Sequence, residues 1–119
     1  MLFRSLYNKS VKNISGGELQ KIAVASCLIQ KVDLYALDEP SAFLDVEDRI
    51  AVAKFLQKFV RSFGKSAIII DHDLQLMDLM SDSMIIFEGE SGKAGTATSP
   101  MPKLAAMILG ICSLLLVLA

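Results

Sequence analysis

Two short apolar runs, each stopped by a cluster of acids, limit the possible folds more than any other feature of this chain. Leu34–Leu37 is closed by Asp38, Glu39 and Pro40, and Ala67–Ile70 is closed by Asp71, His72 and Asp73. Runs this short and this uniformly apolar read as strands buried on both faces that end in polar loops. Between them, helical spacing runs from about Val46 to Phe63. Ile50, Ala53, Leu56, Phe59, Val60 and Phe63 form its inward stripe, and Gly64 is its stop. A shorter helix follows through Leu74, Met77 and Met80. A third strand covers Ser83–Phe87, after which "EGESGKAG" turns the chain. Strands alternating with helices imply an α/β fold with a mostly parallel sheet and right-handed crossovers.

Upstream of the first strand, residues 1–12 read as a loop or frayed helix. The helical pattern opens at "NISGGELQ", with Leu19, Ile22, Ala23, Ser26 and Ile29 at three- and four-residue steps. Ser15 and Glu18 have the S-x-x-E spacing of a capping box, which sets the start at Ser15. Two glycines follow, although each costs roughly 1 kcal/mol against alanine inside a helix. Either they allow tight packing, or they clear the way to bare backbone. At Ser15, Gly16 and Gly17 the N–H groups lack internal partners and the helix dipole is positive, so an anion could approach closely.

With 119 residues the chain is one domain at most, or part of one. It is 53% hydrophobic and 21% charged with a net charge of −1, a globular composition rather than a disordered one, with nothing to suggest a strongly basic nucleic-acid surface and only a local basic patch left open. "MLFRSLYNKS" has no apolar core long enough for a secretory signal. Cys27 and Cys112 are far apart and have no neighbouring Cys or His, so they read as buried thiols in a reducing compartment. The last segment differs in kind. Leu104–Ala119 carries no charge over 16 residues, fewer than the roughly 20 that span a bilayer. A packed hydrophobic helix and a membrane-seeking tail both remain open for it. The boundaries read are therefore 1–103 for the α/β domain and 104–119 for the tail.

Ligands of open parallel α/β sheets sit beyond the carboxyl ends of the strands. One such end delivers Asp38 and Glu39, the next His72. Adjacent acids there can divide labour. One holds Mg²⁺ through water, and the other orients or deprotonates an attacking water. A neighbouring histidine can stabilise a transferring phosphoryl group. Taken singly, the acids could cap a helix or face solvent, and His72 could simply begin a helix. At matching strand ends they point to a site.

In order and spacing, "NISGGELQ", "LYALDEP", "SAFLD" and "IIIDHD" resemble the ABC-type ATPase domain, a P-loop NTPase, over roughly residues 10–88. The resemblance makes Asn13–Gln20 the signature, with Ile14 where leucine is usual. Its residues Ser15, Gly16, Gly17 and Glu18 would meet nucleotide. It further implies Asp38 for magnesium, Glu39 for the catalytic water, Asp45 as the end of the D-loop, and His72 as the switch histidine. More narrowly, "SGGELQKIAVA", "DEPSAFLDVEDR" and "IIFEGESGKAGTA" resemble the second nucleotide-binding domain of the ribosome-recycling ABC ATPases, also called RNase L inhibitors, with archaeal forms closest. That implies ATP and Mg²⁺ as cofactors, a second nucleotide-binding domain and ribosomal subunits as partners, and a cytoplasmic location. The iron–sulfur domain of the full-length family would not be in this chain, given two isolated cysteines.

One element of such a site is missing from the sequence. The phosphate-cradling G-x-x-x-x-G-K-[ST] loop is copied only in its last three residues by Gly64-Lys65-Ser66, with Phe59 where the first glycine belongs. That triplet reads as a helix stop with an exposed lysine. The expected architecture is therefore the C-terminal part of an ABC domain without its Walker A half. The isolated chain would bind and hydrolyse ATP weakly or not at all. The resemblance also implies that the Walker A strand lies mid-sheet, so its neighbours would be left with open edges. Three other readings stand beside this one. A transporter ATPase piece would be anchored by its apolar tail, a DNA-repair-type ATPase head would adjoin coiled coils, and a folded remnant would be inactive.

Overall fold

The computed structural model describes residues 9–90, 94–109 and 114–118. A 3₁₀ turn at Val11–Asn13 leads into α1 (Gly16–Leu28), β1 (Leu34–Asp38), α2 (Val46–Phe63), β2 (Ser66–Asp71), α3 (Leu74–Met80) and β3 (Ser83–Glu90). Then come β4 (Ala94–Ala97), β5 (Met101–Pro102), α4 (Lys103–Leu109) and β6 (Leu114–Leu118). The expected alternation of strand and helix is thus present through β3, and the fold is mixed α/β.

The sheet runs β1-β2-β6-β3-β4, with β5 also paired to β3. β1 and β2 are parallel, joined through α2, with Asp38 opposite Ile70. β6 is antiparallel to both β2 and β3, so β1, β2 and β3 all point the same way. Of the apolar segment 104–119, residues 104–109 and 114–118 are described, and 110–113 and 119 lie outside the described residues. The described part supplies α4 and a strand inside the sheet, and the edges expected to lie open between β2 and β3 are paired. No helix among the described residues is long and apolar enough to cross a membrane.

Burial differs from the sequence expectation in a regular way. β1 alternates, with Tyr35 and Leu37 buried and Leu34, Ala36 and Asp38 exposed, so it is covered on one face instead of two. α2 buries Val52, Ala53, Leu56 and Val60. Ile50 lies off that stripe and is exposed. Phe63, in the last turn, is exposed as well and packs on the Phe59 ring, with centroids 4.8 Å apart. α1 turns Val24 and Leu28 inward together with Lys21, while Leu19 and Ile29 face out. Lys21 can be buried because its Nζ lies 2.6 Å from Asp48 Oδ2 on α2.

Gly64 ends α2 in the left-handed region, at φ 59°. The N–H of Lys65 then donates to the Val60 carbonyl at 3.0 Å, closing the helix end. Lys65 is held rather than free. Its ammonium lies 2.6 Å from Asp33 Oδ1, and this hydrogen bond raises the lysine pKa and lowers that of the aspartate. The Gly-Lys-Ser triplet therefore closes a helix and opens a strand, whereas a phosphate loop does the reverse.

Candidate functional site

Where β1 ends, the chain makes a tight turn that puts Glu39 in the left-handed region, at φ 45°. A non-glycine residue pays for that conformation, so the surroundings must hold it. The N–H of Glu39 donates to the Ile70 carbonyl at 2.8 Å, extending the β1–β2 ladder by one bond. Its carbonyl accepts from the Gln20 side-chain amide at 3.0 Å, which ties the turn to α1. The Glu39 carboxylate is thereby left pointing over the sheet edge, where Oε1 lies 3.2 Å from His72 Nε2. Both side chains are more than half exposed. The two groups expected at matching strand ends do meet, and they meet in the open.

Beneath His72, the Asp71 carboxylate is buried and accepts three backbone N–H groups. These come from His72 at 2.8 Å, Asp73 at 3.1 Å and Ser41 at 3.3 Å. One carboxylate thus joins the loop after β1 to the loop after β2. Arg49 reinforces the same junction. Its Nε donates to the Leu44 carbonyl at 2.9 Å, and its guanidinium lies 3.2 Å from Asp73 Oδ2. The groove so formed has a volume of about 530 Å³ and is walled by Glu39, Ser41, Arg49, Asp71, His72 and Asp73. Neither Asp71 nor Arg49 stood out in the sequence as a site residue. The clue was Asp71 as a last strand residue, hidden by its more conspicuous neighbour His72.

A second hollow of about 450 Å³ lies at the start of α1. The capping box is complete there: Glu18 N–H donates to Ser15 Oγ at 3.2 Å, and Ser15 N–H donates to Glu18 Oε2 at 3.0 Å. Glu18 also takes a short hydrogen bond from the Lys9 ammonium, the main reason its pKa falls to about 2, with the Ser15 N–H adding to the effect. Its carboxylate therefore stays ionised and committed to the cap. The two glycines separate in role. A Cβ on Gly17 would come within 2.8 Å of the Phe43 carbonyl, so the close approach of α1 to the 41–45 loop requires glycine. A Cβ on Gly16 would meet nothing nearer than 3.7 Å. Packing explains Gly17 and leaves Gly16 as exposed backbone at a helix N-terminus.

The 41–45 loop forms the other wall of this hollow. Phe43 sits at φ 60° with its ring largely exposed. Asp45 caps α2, accepting from Asp48 N–H at 2.8 Å. Its carboxylate is therefore occupied locally, although it still borders the hollow. The residues expected to meet nucleotide are thus split: Glu39 and His72 line the hollow at the sheet edge, Ser15, Gly16, Gly17, Glu18 and Asp45 line the one at the α1 corner, and Asp38 lies exposed at the end of β1 and lines neither.

Residues 3–42 match the family described as ABC transporter. An uncharacterized ABC transporter ATP-binding protein from Methanocaldococcus jannaschii is 46% identical over 98 residues, covering 82% of this chain and 16% of its own length. Translation initiation factor RLI1 of Saccharomyces cerevisiae is 38% identical over 95 residues, 80% of this chain and 16% of that protein. Among solved structures, an RNase-L inhibitor superposes with a TM-score of 0.79 at 44% identity, covering 87% of this chain and 20% of the other. The chain is homologous to ABC-type ATPases of the RNase L inhibitor and RLI1 kind. An archaeal ribosome recycling factor, aABCE1, solved in complex with the ribosomal stalk protein aP1, gives a TM-score of 0.80 at 41% identity. It covers 90% of this chain and 21% of that one. The chain thus spans about a fifth or less of the length of these relatives.

ABC ATPases use nucleotide and Mg²⁺, and the donors present suit that ion. No group of three or more His, Cys, Asp or Glu side chains among the described residues could enclose a metal. Mg²⁺ does not need such a cage, because it takes one or two carboxylates and completes its shell with water and phosphate oxygens. Asp38, exposed at the end of β1, is a carboxylate of that type.

Proposed function

We propose that this chain supplies the catalytic edge of one ATP site, whose phosphate cradle is provided by another polypeptide segment, and the signature corner of a second, in an ATPase of the ribosome-recycling type. The Glu39–His72 contact carries this reading. A carboxylate and an imidazole 3.2 Å apart, exposed at neighbouring strand ends, suit in-line attack of water on a phosphoryl group. Glu39 orients and deprotonates the water, and His72 hydrogen-bonds the transferring phosphoryl oxygens. Asp38 would hold Mg²⁺, and the ion, when bound, would supply charge neutralisation at the phosphates. The Ser15–Gly17 backbone faces the phosphates of a nucleotide held by a second nucleotide-binding domain, and Asp45 borders the same contact. The two hollows are separate and share no lining residue, which accords with each facing a different nucleotide, one held at the sheet edge and one held by the second domain.

The relatives named as translation initiation factors, and the recycling factor bound to a ribosomal stalk protein, favour ribosomal subunits as the larger partner and the cytoplasm as the setting. Equilibrium ATP binding and subunit cosedimentation test this together. The isolated chain is expected to bind ATP weakly or not at all. With a Walker A-bearing half supplied, ATP binding and sedimentation with a ribosomal subunit are both expected. Tight ATP binding by the isolated chain, or complemented chain that ignores ribosomal subunits, would contradict the proposal.

A further inference from the structure

The middle of the sheet is filled by the last residues described, in the one orientation opposed to β1, β2 and β3. Ile69 of β2 and Met84 of β3 both pair with Val117 of β6, so β2 and β3 lie one strand-width apart. Ala67, Ile69, Met84 and Ile86, on either side of that gap, are all buried. Left empty, the gap would expose two rows of backbone N–H and C=O groups inside the core, a costly arrangement. Some strand must therefore occupy it, and an all-apolar Leu114–Leu118 does so here.

The direction of the occupant decides what reaches the site. β6 runs from Leu115, opposite Asp71, to Leu118, opposite Ile68. Its amino end therefore lies beside the Glu39–His72 edge. A strand running with β1 and β2 in the same place would instead bring its carboxyl end there. A phosphate loop follows the carboxyl end of a strand and leads into a helix. Any strand delivering such a loop to Glu39 and His72 from the β2 side must take the position β6 now holds.

We infer that β6 is an exchangeable plug, holding the gap between β2 and β3 until an apolar strand that leads into a glycine-rich phosphate loop displaces it. This rests on the shared-site reading above and adds where the complementing segment docks and what restrains it. While β6 is seated, the sheet is closed and the cradle is excluded. Exchange trades one set of ladder hydrogen bonds for another, so the balance is set by the packing of the incoming strand and its helix.

A disulfide lock tests this in the full chain with both native cysteines replaced by serine. Ile68 and Leu118 are register partners, and Cα atoms of antiparallel partners lie within the span a disulfide accepts. Ile68→Cys with Leu118→Cys should form an intramolecular bond in the monomer. The probe is a Walker A half of an ABC nucleotide-binding domain, comprising its strand, phosphate loop and following helix. Reduced chain should bind the probe, and oxidised chain should bind it at least tenfold more weakly. In the unmodified chain, amides of Leu114–Leu118 should be protected from hydrogen exchange, and should lose that protection when the probe binds. Failure to form the bond, or a bond between two chains, would overturn the plug. Equal binding by locked and unlocked chain would also overturn it, while leaving the shared site intact. No binding by the reduced chain would end both.

Discussion

Gly16 and Gly17 are adjacent in sequence but should respond oppositely to alanine. At Gly17 a methyl group would press on the Phe43 backbone carbonyl, which cannot rotate away, so Gly17→Ala should cost about 1–3 kcal/mol or displace the 41–45 loop. At Gly16 there is room, and Gly16→Ala should stabilise the chain by about 0.5–1 kcal/mol through helix propensity. The same methyl group should weaken any contact of the α1 corner with a nucleotide held opposite. Urea unfolding of both variants checks the pair. If Gly17→Ala is neutral, the close approach described here is wrong. From sequence the two glycines were indistinguishable, because the second needs the carbonyl of a residue 26 positions later, and no local pattern reports that.

Glu18 adds a pH dependence at the same scale. With its pKa lowered from 4.5 to about 2 in the fold, Glu18 is ionised in the native chain at pH values where the unfolded chain would protonate it. Its contribution to the α1 cap is therefore complete above about pH 4.5 and fades as the pH falls toward about 2. An NMR titration of the Glu18 carboxyl should give a midpoint near 2. A midpoint near 4.5 would show that the Lys9 contact and the capping box do not hold in solution.

At the scale of elements, α2 is the spine of the fold. Leu56 is 1% exposed at its centre, and Leu56→Ala should cost about 3 kcal/mol, read as a lowered urea midpoint. The Lys21–Asp48 pair fastens α1 to α2. Lys21→Met should cost about 2 kcal/mol by leaving Asp48 unpaired, and Asp48→Leu in addition should recover part of that loss. The stop of α2 was legible, because Gly64 is a local signal that acts on its own backbone; its start near Val46 came from apolar spacing, and the Asp45 cap was not recognised. Its inward stripe was only partly legible. Ala53, Leu56 and Val60 were apparent from spacing, but Ile50 and Phe63 lie beyond what the sheet covers. In α1 the apolar spacing drew attention to Leu19 and Ile29, whereas the core takes a lysine whose partner is on another helix.

At the scale of the whole molecule, the placement of the candidate site residues was more legible than the sheet. Asp38, Glu39 and His72 are marked by their position after apolar runs, and strand adjacency alone brings Glu39 and His72 together. The buried supports Asp71 and Arg49 were not legible, since their partners are backbone groups of remote loops. Nor was β6, because five apolar residues beside a further apolar stretch give no periodicity that separates strand from helix. Its place in the sheet depends on a gap between two strands whose sequences do not advertise it.

Single-turnover ATP hydrolysis tests the central claim most directly, using the chain mixed with a Walker A half, with wild-type Glu39 and with Glu39→Gln. The account predicts no turnover by either component alone, turnover by the mixture, and loss of at least a hundredfold in rate with Glu39→Gln while ATP is still bound. Turnover by the isolated chain, or a complemented Glu39→Gln chain as fast as wild type, would contradict it.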